Sequence, residues 1–170
     1  MKYTSSEANK LLRKLNEKRD ALLEKEQRSS TFLAAMGEDV ESVRPEYDYS
    51  DTRRELDELD GKIRMVKHAI NSFNLQHIVP GFSMSIDQML VYIPQLTARK
   101  QKLGQMKNYL PKQRETATTF GRNNNIIDYR YANYDIKAVE EDYTAVTDEL
   151  AKAQTALDVL NNTETMEIEI

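Results

Sequence analysis

Residues 139–160 read VEEDYTAVTDELAKAQTALDVL, and this stretch decides the fold. Val139, Tyr143, Val146, Leu150, Ala153, Leu157 and Leu160 recur in alternating steps of four and three. That spacing lays one narrow apolar seam along a helix, to be hidden against another helix. A second stretch obeys the same rule: Leu56, Leu59, Ile63, Val66, Ile70 and Phe73. Residue types at such spacing set architecture and leave chemistry open. The expectation is an all-α protein, a long antiparallel four-helix bundle of coiled-coil-like character, with a small β-hairpin between helices 3 and 4.

Working outward, the bulk composition agrees. The chain has 170 residues, 39% hydrophobic and 31% charged, with few glycines and prolines, which suits a single helical domain over 1–170 with much exposed surface. There is no cysteine, so disulfides, thiolate metal sites and a cysteine nucleophile are excluded. Met1 to Glu7 carry no apolar stretch of signal-peptide type, and no run of about 18 apolar residues occurs, so no membrane span and a cytoplasmic location are expected.

Charge is unevenly spread. Residues 37–60 hold ten acids against three bases, and residues 135–170 hold ten acids against two lysines. Between them, residues 99–122 hold seven bases, Arg99, Lys100, Lys102, Lys107, Lys112, Arg114 and Arg122, against Glu115. Internal complementarity, a basic helix lying between acidic ones, is the plain reading. A basic patch for nucleic acid or another polyanion is the sharper one.

Local signals place the elements. Thr4-Ser5-Ser6-Glu7 has capping-box form and opens a first helix over about 5–36, with Gly37 as its stop. Residues 37–49 are acidic, contain Pro45 and read as a surface loop. Ser50 or Asp51 caps a second helix over about 51–75. Gly61, on the outer face of that helix, has no evident packing reason. Residues 76–84 break the helix, and Pro80-Gly81 suits a type II turn with glycine at positive φ. Ser85 and Gln88 offer a capping box for a third helix over about 85–110, with a kink at Pro94 and an end at Pro111. Strand formers around the turn material Gly121 to Asn125 predict a hairpin over about 114–131. A lone hairpin is marginal in water, so it should lean on the helices or on a second subunit. Asp135 caps a fourth helix over about 136–161. The tail 163–170 alternates apolar and acidic residues, which suits a short edge strand or disorder. As a strand it is expected beside residues 77–79, with Ile168 and Ile170 toward apolar surface.

The order of these features resembles a small bacterial family filed under the name septicolysin. A lysine- and arginine-rich first helix, an acidic proline-bearing loop and a leucine-rich second helix come first. Ile70-Asn71-Ser72-Phe73-Asn74 is similar to that family's Ile-Asn-x-x-Asn junction, and Ser85-Ile86-Asp87-Gln88-Met89-Leu90 to its Thr-Leu-x-x-Ala-Leu helix start. A polar, aromatic segment then leads into Ile136-Lys137 and a last helix. Pro94 and the tail beyond Thr163 depart from the family's pattern. The resemblance implies a helical protein with no catalytic residues to carry over, and the family's name implies a cytolysin. A secreted pore former usually needs a secretion signal or an inserting apolar segment, and neither is expected here.

Catalytic and metal chemistry find no constellation. His68 and His77 are nine residues apart, whereas helical metal pairs need a three- or four-residue spacing, and neither histidine completes a Glu-x-x-His motif. Asp57, Glu58 and Asp60, and Glu140, Glu141 and Asp142, lie largely off the seams as solvated carboxylates. Gly61-Lys62 lacks the upstream glycine of a phosphate loop. No enzyme activity, metal or cofactor is expected.

The hairpin is the remaining candidate. Arg114, Arg122, Arg130, Tyr129, Tyr131, Tyr134 and Asn123 to Asn125 put cations, aromatic faces and amides in one segment. The mix is that of protein interfaces, rich in tyrosine and arginine. It also suits base stacking and phosphate contact. Asp128 and the acidic helices would repel a nucleic-acid backbone, which favours the interface. The expectation is a self-associating or partner-binding module, a homo-oligomer with Phe120, Tyr129, Tyr131 and Tyr134 at the contact. The alternative is polyanion binding through Lys100, Lys107, Arg114, Arg122 and Arg130.

Overall fold

A computed structural model describes residues 1–115 and 128–170. In chain order the elements are β1 (Lys2–Thr4), α1 (Ser5–Ser29), α2 (Val40–Val43), α3 (Tyr49–Gln76), α4 (Ile86–Met106), β2 (Lys112–Arg114), β3 (Tyr129–Tyr131), α5 (Ile136–Thr163) and β4 (Thr165–Glu167). The protein is mostly helical, with two small antiparallel strand pairs among the described residues. Its chain divides into two units. The first comprises Met1–Ile78, Ser85–Asp87 and Asp158–Ile170; the second comprises Val79–Met84 and Gln88–Leu157.

In the first unit α1 and α3 pack antiparallel. Arg19 Nε donates to Asp60 Oδ1 at 2.7 Å, and nearer the far end of α1 Tyr47 donates to Glu26 Oε1 at 2.8 Å. The capping box at Thr4 forms: Glu7 N–H donates to Thr4 Oγ1, and Thr4 N–H donates to Glu7 Oε2. The helix ends at Ser29, short of the expected residue 36. Beyond it Leu33 and Met36 are fully exposed, so continuing the helix would bury nothing. Gly37 has the positive φ of +88° but sits in the following loop. α3 is capped by Asp48 instead of Ser50 or Asp51, its carboxylate accepting from Asp51 N–H at 2.9 Å. This start leaves Asp51 in the first turn, where the helix dipole favours an acid and Arg54 pairs with it at 2.8 Å.

The seam of α3 is buried unevenly. Val66, Ile70 and Phe73 are buried, whereas Leu56, Leu59 and Ile63 are half-buried. Ala8 and Leu15 supply the matching buried positions of α1. The tail forms a strand, but not beside residues 77–79. β4 pairs antiparallel with β1, Lys2 opposite Glu167 and Thr4 opposite Thr165, and Ile168 exchanges backbone hydrogen bonds with Met1. Ile78 bridges Ser85 instead. Met166 and Ile168 are buried while Glu167 and Glu169 face water, the expected alternation; Ile170 is exposed.

The second unit opens with the turn Val79–Phe82, closed by Phe82 N–H to Val79 O at 3.0 Å. Gly81 has φ +81° after Pro80, the type II geometry expected from the sequence. α4 and α5 run antiparallel, since Tyr92 donates to Glu149 while Gly104 and Lys107 lie against Tyr143. The α5 seam is nearly continuous: Val139, Val146, Leu150, Ala153 and Leu157 are buried and Tyr143 half-buried. Asp135 precedes α5 and accepts from Lys137 N–H at 2.9 Å. α4 runs on through Pro94, whose missing N–H falls on the water-facing side beside exposed Leu90. It stops at Met106 and not at residue 110. Asn108 and Tyr109 close tighter turns, their N–H groups donating three residues back to Gln105 O and Met106 O, and Leu110 precedes Pro111, a position that disfavours helix.

Candidate interaction site

The α4–α5 connection is where the predicted site residues gather, and its described part is a two-stranded antiparallel ladder. Lys112 lies opposite Tyr131, Gln113 opposite Arg130 and Arg114 opposite Tyr129. The pair starts two residues earlier than the expected hairpin. The expected turn, together with Phe120 and Arg122, lies outside the described residues.

Strand alternation sorts the side chains into two faces. Lys112, Arg114, Tyr129 and Tyr131 share one. There the Lys112 ammonium sits 4.2 Å from the Tyr129 ring centroid and 5.5 Å from that of Tyr131, an attraction between cation and ring quadrupole. Tyr129 is 46% exposed and Tyr131 61%. Gln113, Arg130 and Glu115 share the other face. Arg130 grips Glu115 with two parallel bonds, Nε to Oε2 at 2.8 Å and Nη2 to Oε1 at 2.9 Å. This fork holds the Glu115 carboxyl below its usual range and raises the Arg130 guanidinium.

The predicted residues therefore separate by role. Tyr129, Tyr131 and Arg114 are exposed together on one face. Arg130 is engaged with Glu115. Tyr134 is half-buried and donates to Met106 O at 2.8 Å, so its hydroxyl satisfies a carbonyl at the end of α4. Lys107 holds its ammonium 3.9 Å over the Tyr143 ring. Lys100 is half-buried on α4. Lys112 counts among the bases of residues 99–122 but not among the five named polyanion-binding candidates, although it is the cation that organises the aromatic face. Its position opposite Tyr131 depends on strand register, which the sequence signals only once the turn is known.

Among the described residues, Arg99, Lys100, Lys102, Lys107, Lys112 and Arg114 form no ion pair within their unit. Elsewhere, a cavity of about 330 Å³ lies between α1 and the start of α3, lined by Glu26, Glu46, Asp48, Asp51 and Glu55 around Tyr47. The Tyr47 phenol is raised by its hydrogen bond to Glu26. His77 caps α3, its ring stacked on Phe73 at 3.9 Å with Nδ1 2.9 Å from Phe73 O. Among the described residues no three His, Asp or Glu side chains converge as a metal site would require.

No family model matches the chain, and no curated protein matches it. A solved structure does: the crystal structure of a functionally unknown conserved protein from Corynebacterium diphtheriae aligns with a TM-score of 0.64 at 13% identity, covering 98% of this chain and 100% of that one. At that identity the likeness establishes a shared fold along nearly the whole chain.

Proposed function

We propose that this protein is a structural, protein-interaction module that associates with copies of itself through the β2–β3 ladder. Its long helices serve as a scaffold of the four-helix, coiled-coil-like kind that the α3 and α5 seams call for. The observation that carries the reading is the ladder itself: two three-residue strands, exposed throughout, bearing Tyr129 and Tyr131. Two strands alone are marginal in water. Exposed Tyr109 and Leu110 adjoin β2 in the chain and add apolar surface to the segment. No helix among the described residues is long and apolar enough to cross a membrane. A cytoplasmic location, the absence of catalysis and kinship with the septicolysin-named family belong to the same proposal. Solution mass measured at tens of micromolar tests it. A dimer or higher oligomer is expected, and a Tyr129→Ser, Tyr131→Ser double variant should shift it toward monomer. A strictly monomeric wild-type chain overturns the reading.

A second reading is favoured by one observation: Lys112 and Arg114, which form no ion pair among the described residues, flank two exposed aromatic rings. Nucleic acid or another polyanion is its ligand. Binding would then weaken steeply with salt as counterions are released. Replacing Lys100, Lys107 and Arg114 by glutamine would weaken it for all sequences alike. No binding to single-stranded DNA at low salt removes this reading.

A further inference from the structure

The hydrogen-bond pattern of the ladder distinguishes its two outer edges. Glu115 N–H donates to Asp128 O at 2.9 Å, and Ala132 N–H to Pro111 O at 3.2 Å. In an antiparallel ladder, hydrogen-bonded pairs alternate with non-bonded ones. The bonded pairs are therefore 115 with 128, 113 with 130, and 111 with 132. Arg130 spends its backbone groups on β2. Tyr129 and Tyr131 point their N–H and C=O outward from β3, and Lys112 and Arg114 point theirs outward from β2. Each edge is a template for another strand.

A second copy can use only one of these edges well. Two β2 strands related by a two-fold axis at Gln113 would set Lys112 directly against Arg114 of the other copy, twice. Like charges directly opposite destabilise a strand pair. Two β3 strands related by a two-fold axis at Arg130 would set Tyr129 against Tyr131 of the other copy, twice. Aromatic cross-strand pairs stabilise, and here the outward N–H and C=O of both tyrosines meet in register. The two Arg130 residues would face each other, but each is already neutralised by its own Glu115.

We propose that two copies of this chain join edge to edge through β3, antiparallel and centred on Arg130, making a four-stranded sheet from two ladders that are two-stranded among the described residues. This rests on the self-association proposed above and names its register. The contact is isologous, so it closes as a dimer and leaves no free β3 edge to propagate. Lys112 and Arg114 end up on the outer strands, where charged residues protect an edge against further pairing.

The absence of cysteine makes the register directly readable. Arg130 would face its symmetry mate as a non-bonded pair, with Cα atoms roughly 4.5 Å apart, within disulfide range. Full-length Arg130→Cys under mild oxidation should therefore run as a disulfide-linked dimer on a non-reducing gel. Full-length Gln113→Cys, at the centre of the rejected edge, should stay monomeric there. A nitroxide attached to the thiol of the Arg130→Cys variant gives an independent measure, with strong dipolar broadening expected in the dimer. Failure of Arg130→Cys to cross-link or broaden while the wild type remains a dimer overturns the register alone. Cross-linking of Gln113→Cys as readily as Arg130→Cys does the same. A monomeric wild type overturns both the register and the self-association beneath it.

Discussion

Two glycines inside helices show how one missing Cβ acts in opposite ways. A Cβ on Gly61 would find only Arg64 Nη2 at 3.9 Å, an ordinary contact with a flexible tip. Gly61→Ala should therefore raise stability by about 1 kcal/mol through helix propensity, seen as a higher urea midpoint at unchanged slope. A Cβ on Gly104 would lie 3.3 Å from Tyr143 Cε2. That ring is half-buried on the α5 seam and carries the Lys107 ammonium on one face. Gly104→Val should lower stability by roughly 1–3 kcal/mol, because the ring must shift against its neighbours. Glu7 supplies a pH signature. The Thr4 N–H, then the Thr4 hydroxyl, hold its carboxyl below the ordinary 4.5. A depressed carboxylate contributes stability above its unfolded pKa and loses it as pH falls through the folded one. Glu7→Gln should thus flatten part of the decline in stability below pH 4.5, measured by denaturant titration across the acid range.

Among the elements, the β1–β4 pair is the least visible in the sequence. Met166 and Ile168 alternate with Glu167 and Glu169, so a strand is legible; its partner is not. Lys2-Tyr3-Thr4 is too short for a period, and its pairing spans the length of the chain. Ile168 is 3% exposed. Truncating it should cost about 2–5 kcal/mol, the usual range for emptying a buried isoleucine site. Ile168→Ala, compared with the exposed control Ile170→Ala by chemical denaturation, checks this; near-equal effects would mean the tail packs otherwise. Fast amide exchange at Ile168, whose N–H donates to Met1 O at 2.9 Å, would say the same.

At the scale of the whole molecule, salt separates the two functional readings. Most ion pairs among the described residues are exposed and close in sequence, so salt should move folding stability little. The proposed association through β3 would bring two ladders carrying Lys112 and Arg114 toward each other, and salt would screen that repulsion. The dimer should therefore hold or tighten as ionic strength rises. Polyanion binding must weaken under the same change. Sedimentation equilibrium across a salt series reads the first, and fluorescence anisotropy of labelled DNA reads the second.

The long helices and the α5 seam follow from the sequence alone, because a repeat of this length has one low-energy way to hide its apolar side. The Thr4–Glu7 box, the Asp135 cap and the Pro80-Gly81 turn are equally legible, since each depends on atoms within a few residues. The ends of α1 and α4 are not. They fall where the apolar face meets no neighbour, as at Leu33, Met36 and Leu110, and burial is a property of the fold. Tyr129 and Tyr131 can be named as candidates from their residue types. That they share a face with Lys112, that Arg130 is held by Glu115, and that Tyr134 is turned to Met106 were decided by strand register and helix endings. Those are tertiary facts: a one-residue slip exchanges the two faces of a strand, and no local signal in 112–115 or 128–131 distinguishes the two registers.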